Sequence, residues 1–150
     1  MIDFPASPTI GQIFASGAFS WRFDGAKWVA QGAASQYLVG FDVPGILTTG
    51  AVFAHVFAAP ASFPINFAGS QARGSANATG TPLITFARSA AAGPLSFSNI
   101  GTLTIGAGTV TPTFVAASAP SFAAGDTIRG LVTTGDASFA DLCLTLAGMR

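Results

Sequence analysis

The sequence is unusual for what it has little of. Among 150 residues there is no glutamate, one lysine and one cysteine, and charged residues make up 8% of the chain with a formal net charge of zero. Soluble domains average about 25% charged residues. A disordered chain needs high net charge and low hydrophobicity, and a nucleic-acid-binding surface needs a basic excess, so neither class fits. The single Cys143 excludes a disulfide within the chain and a zinc site built from several cysteines.

Half of the residues are hydrophobic, and Ala, Gly, Ser, Thr and Phe replace most of the charged residues. A long helix or coiled coil needs abundant Glu, Lys, Leu and Arg, so the composition favours a β-rich domain. Residues 43–72 and 89–125 lack Asp, Lys and Arg. Prolines and glycines interrupt the first stretch and the second alternates, which favours strands over membrane insertion. A surface poor in charge is prone to associate, so we expect a self-assembling protein.

The chain consists of two segments that differ in residue composition and pattern, residues 1–35 and residues 36–150. The first contains both tryptophans and a proline-rich start that favours an extended arm. Aromatic strands at Phe19–Phe23 and Trp28–Ala30 flank an Asp24-Gly25 turn, which predicts a β-hairpin. Because an isolated hairpin is marginal in water, we expect it to pack on the main domain or on a neighbouring subunit.

The longer segment consists of short apolar runs separated by turns that contain Gly and Pro. This spacing is typical of an antiparallel sandwich, and eight strands with long connections suggest a jelly roll. The predicted fold is therefore an all-β, jelly-roll-like antiparallel β-sandwich preceded by an extended N-terminal arm and a β-hairpin. The eight predicted strands are Tyr37–Val43, Ala51–Phe57, Phe63–Phe67, Leu83–Arg88, Leu95–Ile105, Val110–Ala116, Thr127–Thr133 and Phe139–Leu146.

One predicted strand, Ala51–Phe57, is apolar on both of its faces. Only one face of a strand meets the core of a single sandwich, so we expect a partner subunit or the N-terminal arm to cover the other. We take the aromatic face as the candidate subunit interface. The two faces consist of Val52, Ala54 and Val56 on one side and Phe53, His55 and Phe57 on the other.

Few residues could carry catalytic or metal-binding chemistry. His55 is the single histidine, and without a Gly-x-Ser-x-Gly elbow a packed or interfacial role is favoured over a Ser–His–Asp device. Cys143 has no basic neighbour to lower its thiol pKa, which favours a core or interface residue. Asp136 and Asp141, with Ser138 between them, form only a weak calcium pattern. We expect no enzymatic activity, no cofactor and no metal.

Two features could contribute to recognition. Trp21 and Trp28 could stack on sugar rings, although their places on both sides of a turn favour pinning the hairpin to its neighbour. Arg73 lies in the longest polar loop, Gly69–Gly80. Recognition is common in loops on a rigid sandwich, while a solvated loop is the simpler interpretation.

The first 30 residues also carry a recognisable pattern. It reads Phe-Pro-x-x-Pro-x-x-Gly-x-x-Phe over Phe4–Phe14 and Trp-x-x-Asp-Gly-x-x-Trp over Trp21–Trp28. This pattern resembles a short module at the start of tail-fibre and other virion-appendage proteins of tailed bacteriophages. The closing residues 135–150 are similar to the ending of small phage structural proteins. Fibre proteins with this module are usually much longer, so a spike, a decoration subunit or a small fibre tip also fits.

The resemblance implies a non-enzymatic, β-rich virion component that is often trimeric. It assigns residues 1–35 to attachment, through the hairpin residues Trp21, Asp24, Gly25 and Trp28. We expect a tail-fibre or spike subunit in the virion, working as a homotrimer or a larger assembly. Other virion proteins are expected partners, and a host-surface glycan or receptor is a further candidate. The alternatives are a capsid decoration or head-spike protein that stabilises the head, and a carbohydrate-binding module.

Overall fold

The computed structural model describes residues 3–16, 19–31 and 36–150. Apart from one short 3₁₀ turn, the regular secondary structure of these residues is antiparallel β-sheet, which confirms the prediction of an all-β fold. The chain divides into two compact units, residues 1–35 and residues 36–150. In the part of the chain that the structure describes, no helix is long and apolar enough to cross a membrane.

The N-terminal unit contains a three-stranded antiparallel sheet. Its strands are β1 (Ile13–Ser16), β2 (Phe19–Phe23) and β3 (Trp28–Gln31), in the order β1-β2-β3. Phe23 pairs with Trp28 across the Asp24-Gly25 turn, so the predicted hairpin is confirmed. The end of the arm, expected to be only extended, pairs with β2 as a third strand.

The second unit contains ten strands and one short 3₁₀ turn. A pattern of short strands joined by turns is what the many Gly and Pro residues predict. The strands are β4 (Gln36–Leu47), β5 (Val52–Val56), β6 (Ala61–Ser62), β7 (Gln71–Arg73), β8 (Leu83–Ser89), β9 (Ser98–Ile105), β10 (Pro112–Val115), β11 (Ser121–Phe122), β12 (Thr127–Thr134) and β13 (Asp136–Met149), with the 3₁₀ turn at Ile65–Phe67.

These strands form two five-stranded sheets that pack face to face. Sheet 1 has the order β10-β9-β8-β12-β5, and sheet 2 has the order β11-β6-β13-β4 with β7 also paired to β13. Four antiparallel pairs are nested in sequence, β4 with β13, β5 with β12, β6 with β11 and β8 with β9. The pairing is that of one long hairpin folded into two layers, and the predicted antiparallel sandwich is confirmed.

Aromatic and aliphatic side chains fill the space between the two sheets. Phe57 stacks on Phe122 with ring centroids 4.2 Å apart. Burying one phenylalanine stabilises a fold by about 1.5–3 kcal/mol, so the apolar strands supply a core without help from charged groups. The largest fully buried side chains are Phe57, Phe63, Phe67, Phe86, Phe139, Leu47, Ile84, Leu103, Ile105, Ile128, Leu142 and Leu146.

The predicted strand Phe63–Phe67 is not a strand. Ile65–Phe67 form a 3₁₀ turn, and the strand of this region is the two-residue β6 that precedes it. Asn66 has a positive φ of 55°, a conformation that asparagine tolerates better than most residues. Its side-chain oxygen accepts a 2.8 Å hydrogen bond from the Ala116 amide, which fixes the turn against the chain beyond β10.

The predicted strand Tyr37–Val43 is too short, because β4 continues through Pro44 and Gly45 to Leu47. The register between β4 and β13 shifts at this point, and both Gly45 and Asp141 have positive φ values. The Asp141 carboxylate accepts a 2.8 Å hydrogen bond from the Gly45 amide. The two strands therefore accommodate the proline and glycine as an irregularity in an edge strand, where both are tolerated.

Candidate functional site

Five aromatic rings form a cluster in the N-terminal unit. The strand register puts Phe14, Trp21, Phe23 and Trp28 on one face of the small sheet. Phe4, from the arm, lies stacked on Trp28 at 5.2 Å and meets Trp21 edge to face at 5.3 Å. Each such aromatic pair adds about 0.5–1.5 kcal/mol beyond its buried area. The arm is thereby fastened to the hairpin by its first aromatic residue.

The turn that joins β2 to β3 is held by its aspartate. The Asp24 carboxylate accepts hydrogen bonds of 2.9 Å from the amides of both Lys27 and Ala26. The Lys27 amide first, and then the Ala26 amide, hold the pKa of Asp24 below its ordinary value. Gly25 has a φ of 107°, which side-chain-bearing residues avoid. The Asp-Gly pair thus fixes the turn that places Trp28 opposite Phe23.

The other face of the small sheet is apolar and open. Ile13, Arg22 and Val29 form one row across its three strands. Ile10 and Ile13 are 79% and 67% exposed. A shallow hollow of about 350 Å³ lies beside Ile10, Arg22 and Val29. This face, with one positive charge among aliphatic side chains, is the part of the N-terminal unit suited to contact another protein surface.

The aromatic face of β5 points into the sandwich. Phe57 is fully buried, and the Phe53 ring lies 4.6 Å from that of Phe41 on β4. The Nε2 atom of His55 lies 3.0 Å from the Tyr37 hydroxyl oxygen. The proposed interface of Phe53, His55 and Phe57 is therefore corrected, because these side chains pack within their own subunit.

The open face of β5 is the valine face, which the sequence interpretation did not choose as the subunit interface. Val52 and Val56 are 55% and 60% exposed, and Ala54 between them is also exposed. Since β5 is the last strand of sheet 1, these residues border an edge with which no other described strand pairs. Alternation alone revealed two apolar faces but could not say which one meets the core.

The side-chain partner of Cys143 is acidic and not basic. The Cys143 thiol donates a 3.2 Å hydrogen bond to the Asp42 carboxylate, which raises the thiol pKa above its ordinary value. A raised pKa disfavours the reactive thiolate. Among the residues described, no group of three His, Cys, Asp or Glu side chains could hold a metal ion.

One buried carboxylate organises the end of sheet 1. Asp126, 2% exposed, accepts hydrogen bonds from the amides of Ala123 at 2.8 Å and Ala91 at 2.9 Å. The Arg88 guanidinium lies 2.6 Å from the same carboxylate. The Ala123 amide first, then those of Ala91 and the Arg88 side chain, hold the pKa of Asp126 below its ordinary value. Its role is to join three segments of chain.

The polar segment Gly69–Gly80 is fastened to β13 by the two carboxylates of the weak calcium pattern. Asp136 accepts hydrogen bonds from the Ser138 hydroxyl and from the Gly80 amide, and both lower its pKa. Asp141 accepts from the Gly45 amide and the Ser75 hydroxyl, which lower its pKa as well. The two carboxylates are therefore directed at different protein donors, as structural ties rather than as ligands of one ion.

The structure shows the surroundings of two arginines, of which the sequence had singled out only Arg73. Arg73, on β7, borders an open groove of about 640 Å³ together with Gln71, Thr111 and Cys143. The Arg129 guanidinium lies 4.0 Å from the centre of the Phe97 ring, and its buried Nε has no hydrogen-bond partner among the described residues. No spacing rule in the sequence pairs Arg129 with Phe97, so only the fold reveals this contact.

In comparisons with known proteins, no family model, no curated protein and no solved structure matches this chain. The functional interpretation therefore depends on two observations. One is the motif of residues 4–29, which folds as a distinct aromatic unit. The other is the open apolar edge at β5.

Proposed function

We propose that the protein is a non-enzymatic structural subunit of a tailed-bacteriophage virion, a tail-fibre or spike component that takes part in attachment to the host. The observation that carries this proposal is the N-terminal motif. Its Phe4, Trp21 and Trp28 form one aromatic cluster, and its Asp24-Gly25 pair forms the turn. Because Phe4 and Phe14 each pack against both tryptophans, the motif forms a local folding unit, which supports its use as a connecting module.

We also infer a jelly-roll topology for the sandwich. The nested pairs give sheet orders β4-β13-β6-β11 and β5-β12-β8-β9, the arrangement obtained by rolling one long hairpin into two layers. Jelly rolls of two Greek keys are common among viral capsid domains. In this interpretation β7 and β10 are additions to the eight-stranded pattern.

In the proposed mechanism the two units have different tasks. The sandwich provides a rigid body, because its core is closed by fully buried aromatic and aliphatic side chains. The N-terminal unit attaches to other virion proteins through its open face around Ile13 and Val29. Copies of the sandwich associate as a homotrimer or a larger assembly, and loops at its ends contact the host surface.

A carbohydrate-binding role for the two tryptophans has less support. A sugar-binding platform needs an aromatic face open to the ligand. Phe4 covers Trp28 and contacts Trp21, while Phe14 lies 5.9 Å from Trp21 and 6.0 Å from Trp28. Both indole rings are therefore engaged in packing the arm against the hairpin.

Labelling of virions tests the proposal. Particles carrying an epitope tag on this chain are imaged by electron microscopy with a tag-specific antibody, and untagged particles serve as the control. Label at the tail is the expected result. Label on the head favours the decoration role instead, and the absence of label from intact particles overturns the proposal. Light scattering of the purified full chain should show assemblies larger than one subunit, and a strict monomer counts against self-association.

A further inference from the structure

We propose that the open edge of β5 pairs with the same edge of a second copy of this chain about a two-fold axis at Ala54, which joins the two copies of sheet 1 into one continuous sheet. This inference rests on the proposed self-association and names one contact in it. Because a two-fold contact joins copies in pairs, it belongs to the larger assembly and not to an isolated homotrimer. It starts from a comparison of the strand edges of the sandwich.

Most of the unpaired strand edges carry a feature that prevents pairing. Natural sheets protect their edges with short strands, prolines, bulges or charges. The β4 edge has Asp42, Pro44 and a register irregularity. The β10 edge begins at a proline and has four residues, β11 has two residues, and β7 has three residues including Arg73.

The β5 edge has none of these features. It consists of Val52, Phe53, Ala54, His55 and Val56, with no proline, no Lys or Arg and no irregularity in its pairing with β12. No Asp, Lys or Arg occurs between residues 43 and 72. Two copies of this strand can therefore approach each other without repulsion between like charges on it.

The backbone of β5 is oriented for such pairing. The Phe57 amide donates to the Asp126 carbonyl and the Ala51 carbonyl accepts from Val132, both at 2.9 Å. Hydrogen-bonded and non-bonded positions alternate along an antiparallel pair, so the odd-numbered residues of β5 bond to β12. The amide and carbonyl groups of Val52, Ala54 and Val56 therefore point to the open edge.

The side chains are self-complementary about Ala54. In an antiparallel pairing centred there, Ala54 lies opposite the same residue of the second copy, and Val52 lies opposite Val56. A two-fold contact requires this reciprocity. The three positions would form about six backbone hydrogen bonds, with two valine–valine pairs on the outer face, where β-branched side chains stabilise adjacent strands.

The charged residue paired with Ala54 on β12 is directed away from the proposed contact. Arg129 lies beside Ala54 on β12, and its guanidinium is stacked on Phe97. Phe97 immediately precedes β9, which lies on the far side of β12 from β5 in the strand order. A strand of five residues makes a smaller contact than a standard interface of about 800 Å² per partner, so we expect association that depends on concentration in the micromolar range.

Sedimentation of the full chain over a concentration series tests this contact. We expect the native chain to dimerise and Ala54→Lys to weaken dimerisation about tenfold or more, because like charges would face each other across the axis. Val115→Lys is the control for an added charge, because Val115 is 53% exposed and lies on the opposite edge of sheet 1. This variant should leave dimerisation unchanged. Unaltered circular dichroism would show that each variant is folded.

A charge-swap experiment tests the two-fold register itself. Ala54→Lys and Ala54→Asp should each dimerise more weakly than the native chain, and their mixture should form a heterodimer more readily than either variant self-associates, because residue 54 meets its own counterpart. If the native chain assembles and Ala54→Lys assembles equally well, the β5 contact is overturned while the proposed self-association stands on another surface. If the native chain remains monomeric at every concentration, self-association fails as a whole.

Discussion

At the scale of single residues, the aspartates show what local sequence can and cannot predict. Asp24, Asp126 and Asp136 each adjoin a glycine, a pairing typical of turns in which aspartate bonds nearby backbone. The structure confirms this, since each accepts a hydrogen bond from an amide two or three residues away. The long-range partners were not predictable, because Arg88 reaches Asp126 only after β8 and β12 have paired.

Replacement of the buried aspartate should be costly. In Asp126→Asn a side-chain NH2 group replaces one carboxylate oxygen. At least one donor among Ala91, Ala123 and Arg88 then loses its acceptor. We expect the free energy of unfolding to fall by about 2 kcal/mol, the size of a lost hydrogen bond to a charged group. Asp42→Asn, at an exposed position of β4, is the matched control and should change it by less than about 0.5 kcal/mol. Urea unfolding followed by circular dichroism measures both, and equal costs would contradict the assigned role.

The aromatic cluster of the N-terminal unit gives a spectroscopic prediction. Both tryptophans of the chain belong to it, so intrinsic fluorescence reports on this unit. Phe4→Ala removes the ring stacked on Trp28 and should shift the emission maximum to longer wavelength as water reaches the indole. Ile10→Ala, at a side chain that is 79% exposed, should leave the maximum unchanged. An unshifted spectrum in Phe4→Ala would show that the arm does not shield the tryptophans.

At the scale of strands, the sequence interpretation located the longer strands but not all of their ends. In β13 every second residue from Leu142 to Leu146 is a leucine, and all three leucines are buried, as alternation in a strand predicts. The two-residue strands β6 and β11 were not predicted, because they pair mainly with each other and lack a periodic pattern of their own. Pro44 and Gly45 were misleading as signs of a strand end, because an edge strand tolerates both residues without ending.

Two glycines, one in each sheet of the sandwich, allow the effect of tight packing on stability to be distinguished from the effect of strand propensity. A Cβ atom at Gly130 of β12 would overlap the Phe53 ring, whereas one at Gly40 of β4 would meet nothing within 4 Å. We expect Gly130→Ala to destabilise the fold by about 1–3 kcal/mol through overpacking. Gly40→Ala should be neutral or stabilise it by up to about 1 kcal/mol. Thermal unfolding distinguishes the two.

A second substitution identifies the cause of that effect. In a Phe53→Leu background the ring above Gly130 is absent, so Gly130→Ala should cost less than it does in the native chain. Substitutions at contacting residues are not additive, and their coupling measures the contact. An unchanged cost in the double variant would place the strain elsewhere than at the Phe53 ring.

At the scale of the whole molecule, the shortage of charge has a structural meaning. Four of the six aspartates accept backbone hydrogen bonds, so few acidic groups remain to protect strand edges. The sequence located the hairpin module and the strand with two apolar faces. It assigned the wrong face of that strand to the surface, because the inward face is decided by contacts such as Phe41 with Phe53 that form between distant strands.

The hydrogen-bonded aspartates also predict how the stability of the fold depends on pH. Hydrogen bonds hold the pKa values of Asp126, Asp136 and Asp141 below their ordinary value of 3.8 in the folded state. As the pH falls, the unfolded chain therefore takes up protons before the folded chain does. The contribution of these aspartates to stability stays level from neutrality down to about pH 4 and declines below that pH. Urea midpoints measured from neutral to acidic pH should show this decline, and Asp136→Asn should make it shallower while lowering the neutral plateau. A midpoint that rises on acidification would show that these carboxylates are not held ionised by the fold.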